Sequence, residues 1–100
     1  MMSTNVDIEF PDGRLFRIPC QVLAEKRADY YAVEVDGYAK GSEEYLAEVA
    51  FALLDTYEIK DYAQGNMNWE DLEPLGTWIE VERPKIGNRQ LSEATWTFTE

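Results

Sequence analysis

SEEYLAEVAFALLDTYE, residues Ser42–Glu58, is the stretch whose reading decides the fold. Leu46, Val49, Ala50, Leu53 and Tyr57 recur at steps of three and four, the spacing that collects side chains on one face of an α-helix. That face is expected to build the core. Glu44, Glu48 and Asp55 fall on the opposite face, with Phe51 among them and Glu58 at the edge. Ser42 is a good N-cap, and Glu43 and Glu44 suit the positive end of the helix dipole. Asp55-x-x-Glu58 has capping-box spacing, which predicts that the helix bends or restarts at Asp55. A further helical piece then runs from Thr56 to Gln64, with Ile59, Tyr62 and Ala63 inward and Gly65 ending it.

Toward the N-terminus the period changes from helical to two. Val6, Ile8 and Phe10 alternate with Asn5, Asp7 and Glu9, as in a strand with one buried face. Pro11-Asp12-Gly13 is turn chemistry, and Arg14–Ile18 runs back with Phe16 and Ile18 inward. A three-residue loop sets Ile8 opposite Phe16 and Asp7 opposite Arg17. Pro19 suits the first position of a helix running through CQVLAEKRADYYA, which fades near Val33. Cys20, Leu23, Ala24 and Tyr31 share one side of it, with Arg27 close beside them.

Toward the C-terminus, Asn66–Leu72 reads as a short capped turn pinned by Trp69 and stopped by Pro74 and Gly76. Thr77–Glu82 alternates again, with Ile79 and Val81 on one side and Trp78, Glu80 and Glu82 on the other. Gly87-Asn88 is a plausible hairpin turn, and counting outward from it places Ile79 opposite Trp96 and Val81 opposite Ala94. The order β-β-α-α-(α)-β-β predicts a single α+β domain over residues 1–100: an antiparallel sheet of two hairpins with the helices packed on one face.

The chain carries 20 acidic and nine basic residues and no histidine, a formal charge of −11. The acidity is concentrated in the middle, where Lys40 and Lys60 are the only cations between Ala28 and Glu82. Such a charge attracts basic partners and opposes autonomous binding to nucleic acid or to an anionic membrane. The start MMSTNVDIEF lacks a basic segment followed by an apolar run, so no signal peptide is expected, and no apolar run is long enough to span a bilayer. Cys20 is the only cysteine, which suits a reducing cytoplasm.

The lack of histidine removes the usual neutral-pH base and the commonest transition-metal ligand. There is no glycine-rich phosphate loop and no EF-hand spacing. Cys20 reads as a small buried residue or, alternatively, as a thiol activated at a helix N-terminus. The expectation is a binding protein with no catalytic residues, cofactor or metal. Acids spaced along a rigid helix resemble a row of phosphates: Glu44 and Glu48 lie about 6 Å apart along the axis, near two steps of the roughly 3.4 Å charge spacing of a DNA strand. The candidate contacts are Glu44, Glu48, Phe51, Asp55, Glu58 and Asp61, with Phe51 an apolar anchor inside a charged rim. A Phe51 packed beneath the first helix or a loop, among ordinary solvated acids, is the competing reading.

The hairpin EFPDGRLFRIP at Glu9–Pro19, RADYYA at Arg27–Ala32 and NMNWEDL at Asn66–Leu72 resemble small acidic proteins carried by bacteriophages and mobile elements. The resemblance implies an inhibitor, of the kind that anti-CRISPR proteins exemplify, which occupies the basic site of a host nucleic-acid-handling protein in the host cytoplasm. It carries over no site residues. The partner is then a basic protein surface, with neither nucleic acid nor membrane bound directly, and the inhibitor is a monomer or a dimer. A non-catalytic assembly module, docking through an apolar sheet face that includes Trp78 or through an edge strand, is the alternative.

Overall fold

A computed structural model describes residues 4–11, 13–79, 91 and 93–99. The architecture is α+β. Four strands, β1 (Asn5–Glu9), β2 (Leu15–Pro19), β3 (Thr77–Trp78) and β4 (Thr95–Thr99), form one antiparallel sheet in the order β3-β2-β1-β4. Between β2 and β3 lie α1 (Cys20–Ala28), a π-helix (Asp29–Val35), α2 (Glu43–Leu54), α3 (Thr56–Asn66), α4 (Trp69–Leu72) and a 3₁₀ turn (Glu73–Leu75).

The first hairpin has the expected register, with Ile8 opposite Phe16 and Asp7 opposite Arg17. Gly13 takes φ +89°, a conformation that only glycine adopts without strain, and its N–H donates to the Phe10 carbonyl to close the loop. Val6, Ile8, Phe10, Phe16 and Ile18 are buried on one side. On the other side Arg17 grips Asp7 with two bonds, Nε to Oδ1 at 2.7 Å and Nη2 to Oδ2 at 2.9 Å. Thr77, Thr95, Thr97 and Glu9 are exposed on that outer face. Among the described residues that face is polar.

The last two strands do not pair with each other. Trp96 lies opposite Ile8 and Phe98 opposite Val6 on β1, while Trp78 lies opposite Phe16 on β2. The expected pairing of Ile79 with Trp96 is therefore replaced, and the Ile79 N–H donates to the Leu15 carbonyl. The faces of β3 are exchanged too: Trp78 points inward and Ile79 is exposed. A one-residue change of register reverses every side chain of a strand, and here the inward place goes to the larger ring. Val81, Glu80, Glu82 and the Gly87-Asn88 turn lie outside the described residues.

Trp78 joins Phe10, Phe16 and Trp69 in an aromatic cluster with centroids 4.9–5.7 Å apart, held mostly edge-to-face or tilted. Asn68 and Asp71 cap α4 reciprocally: the Asp71 N–H donates to Asn68 Oδ1 at 3.2 Å and the Asn68 N–H to Asp71 Oδ2 at 3.1 Å. The cap delivers Trp69 into the cluster, as the short turn was expected to do. Gly76 brings the chain from there to β3, passing so close to β2 that a Cβ would collide with the Arg17 carbonyl and the Ile18 and Phe16 side chains. Gly76→Ala is expected to cost about 1–3 kcal/mol, the usual penalty of overpacking, read as a lower urea midpoint.

Pro19 is the last residue of β2 and the N-cap of α1, one place earlier than its expected position. Cys20 is buried at the start of α1, and burial pushes its thiol above the usual range. That is the opposite of what activates a nucleophile. Beyond Ala28 the helix widens into the π-helix, where Tyr30 and Tyr31 pack edge-to-face at 5.0 Å and both meet Tyr62 of α3. Gly65 lies within α3, which runs on to Asn66, whose side-chain amide donates to the Tyr62 carbonyl.

Candidate interaction site

Ser42 caps α2 as expected, its hydroxyl accepting the Tyr45 N–H at 3.3 Å. The face that α2 buries is not the expected one. Tyr45, Val49 and Ala52 are buried, Leu53 is half-buried, and Leu46, Ala50 and Tyr57 are exposed. The helix is rotated by roughly a quarter turn from the face that the spacing favours. Its sequence is apolar on most sides, so several faces compete, and the winner is set by what lies on α1. Arg27, buried on α1, donates from Nη1 to Glu48 Oε2 at 2.7 Å. Small Ala52, with Ala24 and Ala28 of α1, is fully buried where the two helices meet.

Arg27 ties three helices. Besides Glu48 on α2, its Nη2 lies 3.5 Å from Glu58 Oε2 on α3. Its guanidinium carbon sits over the Tyr31 ring at 4.8 Å and the Phe51 ring at 5.3 Å. Arg27 Nε is buried without a hydrogen-bond partner, facing this aromatic surround. The Asp55-x-x-Glu58 capping box does not form, because the Glu58 carboxylate is drawn to Arg27 instead of to its own helix start. Asp55 still divides the helices, with φ −129° and ψ 89°, and leaves its side chain in solvent.

The six expected contacts thus separate into two groups. Glu48 and Glu58 are about one-third exposed and compensated internally by Arg27, so they do not belong to a free acidic ridge. Glu44, Asp55 and Asp61 are exposed, and Phe51 is 48% exposed with one part of its ring against Arg27. Between these acids the helices also show Leu46 at 56%, Leu54 at 75% and Tyr57 at 68% exposure, although the spacing assigned Leu46 and Tyr57 to the core face. Large apolar groups left this exposed make the outer side of α2 and the start of α3 the candidate contact surface. Leu54 and Tyr57 flank Asp55 at the elbow between α2 and α3.

No protein family, curated protein or solved structure matches this chain. The site is therefore read from its own chemistry. Among the described residues no helix is long and apolar enough to cross a membrane, and no group of three or more His, Cys, Asp or Glu side chains is placed to hold a metal ion. A shallow groove of about 490 Å³ runs between α1, α3 and α4, lined by Lys26, Tyr62, Met67, Glu70, Asp71 and Leu75. It lies apart from the α2 outer face and mixes both charge signs.

Tyr45, on the buried side of α2, has its hydroxyl 3.4 Å from the Glu25 carbonyl. Removal from water, then the Asp29 and Glu25 carboxylates, push its ionisation up to about 12 from 10. Since the folded state holds the proton more tightly than the unfolded chain, this group leaves stability untouched below pH 10. It erodes stability as pH rises through 10 to about 12, by at most about 1.4 kcal/mol for each pH unit in that window. Tyr45→Phe is expected to flatten that alkaline loss in unfolding curves taken from pH 9 upward, with about 12 as the end of the window. An unchanged slope would place the titrating group elsewhere.

Proposed function

We propose that the protein is a small acidic binding protein that occupies a basic site on a nucleic-acid-handling protein and blocks it, acting in a host cytoplasm as phage-borne inhibitors do. The observation that carries the reading is the contrast, among the described residues, between carboxylates paired with a cation and carboxylates left in solvent. Arg17 is paired with Asp7, Arg27 with Glu48 and Glu58, and Lys40 with Asp29. Glu44, Asp55 and Asp61 stand in solvent around Phe51, Leu54 and Tyr57. Apolar anchors within a like-charged rim suit a partner that is basic and grooved, where charge speeds encounter and the anchors hold.

Glu44→Lys, Asp55→Lys and Asp61→Lys combined are expected to abolish capture of the partner while leaving the circular dichroism and melting curve of the domain intact. Glu48 is kept, because a lysine there would face Arg27. The assay is affinity capture from host extract at low and high salt, followed by competition with duplex DNA for the captured protein. Capture undiminished by the triple variant, or a captured partner whose nucleic-acid site stays open, would falsify the assignment.

A further inference from the structure

We propose that the outer face of α2 is a seat for one cationic amphipathic helix of the partner. This rests on the binding reading above and names the element that is bound. Along the centre of the exposed side run Glu43, Ala47, Ala50 and Leu54, at steps of four, three and four. They share one face of the helix, and the last three of them are apolar. Leu46 and Phe51 stand on either side of the line, both about half exposed. Two alanines between larger flanking groups leave a valley, and helices pack by setting the ridge of one into such a groove on the other. Among the described elements α1, α3 and the π-helix pack on α2, and this strip of small and apolar residues is left exposed. α2 rises about 18 Å over its twelve residues, which seats about three turns of a partner helix.

Charge decides the occupant. Glu43 and Glu44 stand at one end of the valley and Asp55 at the other, all exposed. A second copy of this chain would bring the same acids, with a net charge of −11, against them. An anionic lipid surface is repelled for the same reason. A helix with an apolar stripe flanked by lysine or arginine satisfies the valley and both ends at once.

The test uses the full chain and a synthetic 18-residue Lys/Leu amphipathic helix, with unstructured polylysine of equal charge as the second probe. The helical peptide is expected to bind one to one and to gain helicity, and polylysine to bind more weakly and lose its binding in moderate salt. Ala47→Leu and Ala50→Leu fill the valley with apolar bulk. They are expected to weaken the peptide at least about tenfold, the equivalent of about 1.4 kcal/mol, and leave polylysine unaffected. Non-specific apolar sticking would instead strengthen on those substitutions and overturn the seat. Equal binding of the two probes by every variant leaves the charge reading standing and removes the helix. If neither probe binds, both readings fall. A dimer in sedimentation runs that Ala50→Leu disrupts would make the occupant a second copy and overturn the proposal.

Discussion

Trp69→Ala is expected to produce a larger loss of stability than any other substitution proposed for this chain, about 3–5 kcal/mol. Trp69 is buried and lies within 5.5 Å of the ring centroids of Phe10, Phe16 and Trp78. These come from β1's end, β2 and β3, so the indole is the piece that joins α4 to the sheet. Its loss leaves a cavity bounded by three aromatic rings that cannot close without moving two strands. A domain of this size is stable by about 5–15 kcal/mol, so the variant stands near the limit of folding. The measurement is urea unfolding followed by far-ultraviolet circular dichroism, which avoids the fluorescence lost with the indole. Trp69→Phe is expected to recover more than half of the loss. Asn68→Ala, which removes only the cap, is expected to cost about 1 kcal/mol. If Trp69→Ala cost no more than Asn68→Ala, the cluster would not be the fastening it is taken for.

Arg27→Ala is expected to cost about 3 kcal/mol, the low end for breaking a buried ion pair by removing one partner. The low end applies because Glu48 and Glu58 are each about one-third exposed and regain water when released. The aliphatic stem matters separately, since it fills the space beside Tyr31 and Phe51. Arg27→Met keeps most of the stem and loses the charge, so it is expected to carry the same ion-pair cost and to be less destabilising than alanine only by the packing share. A melting shift of roughly 12–24 °C for Arg27→Ala is the corresponding reading. Equal losses for the two variants would assign the whole effect to the ion pairs. No loss for either would leave the three helices held by something other than Arg27. Arg27→Met also frees two carboxylates beside Phe51, so its binding to cationic probes is expected to grow more sensitive to salt.

Where neighbouring residues decide the geometry, the sequence was a sufficient guide. The first hairpin follows from strict alternation on both strands and from a loop that only one register fits. The Ser42 cap and the break at Asp55 are equally local. The orientation of α2 was not legible, because its apolar residues cover most of its circumference and the choice among faces is made by Arg27, 21 residues away from Glu48. For the same reason Glu48 and Glu58 were read as free acids. The exposed face of the candidate surface was half visible. Phe51, Glu44, Asp55 and Asp61 lie outward as expected, whereas Leu46 and Tyr57 were assigned to a core they do not enter, and nothing in the spacing singled out Leu54. At Thr77–Trp78 two paired residues carry too little alternation to name a neighbour, and the aromatic rings of β2 and α4 draw Trp78 inward.

The placement of β4 beside β1 has a consequence for synthesis. The Thr4 N–H donates to the Thr99 carbonyl at 2.7 Å, so one of the first strand's two edges is satisfied only by a strand that follows the whole helical region in the chain. On the ribosome β2 covers one side of β1 early, and the other stays open through translation of the whole helical region. A nascent chain stalled before Thr95 carries an unpaired strand edge beside a nearly finished core, the state most exposed to chaperones and to aggregation with its neighbours on the same message.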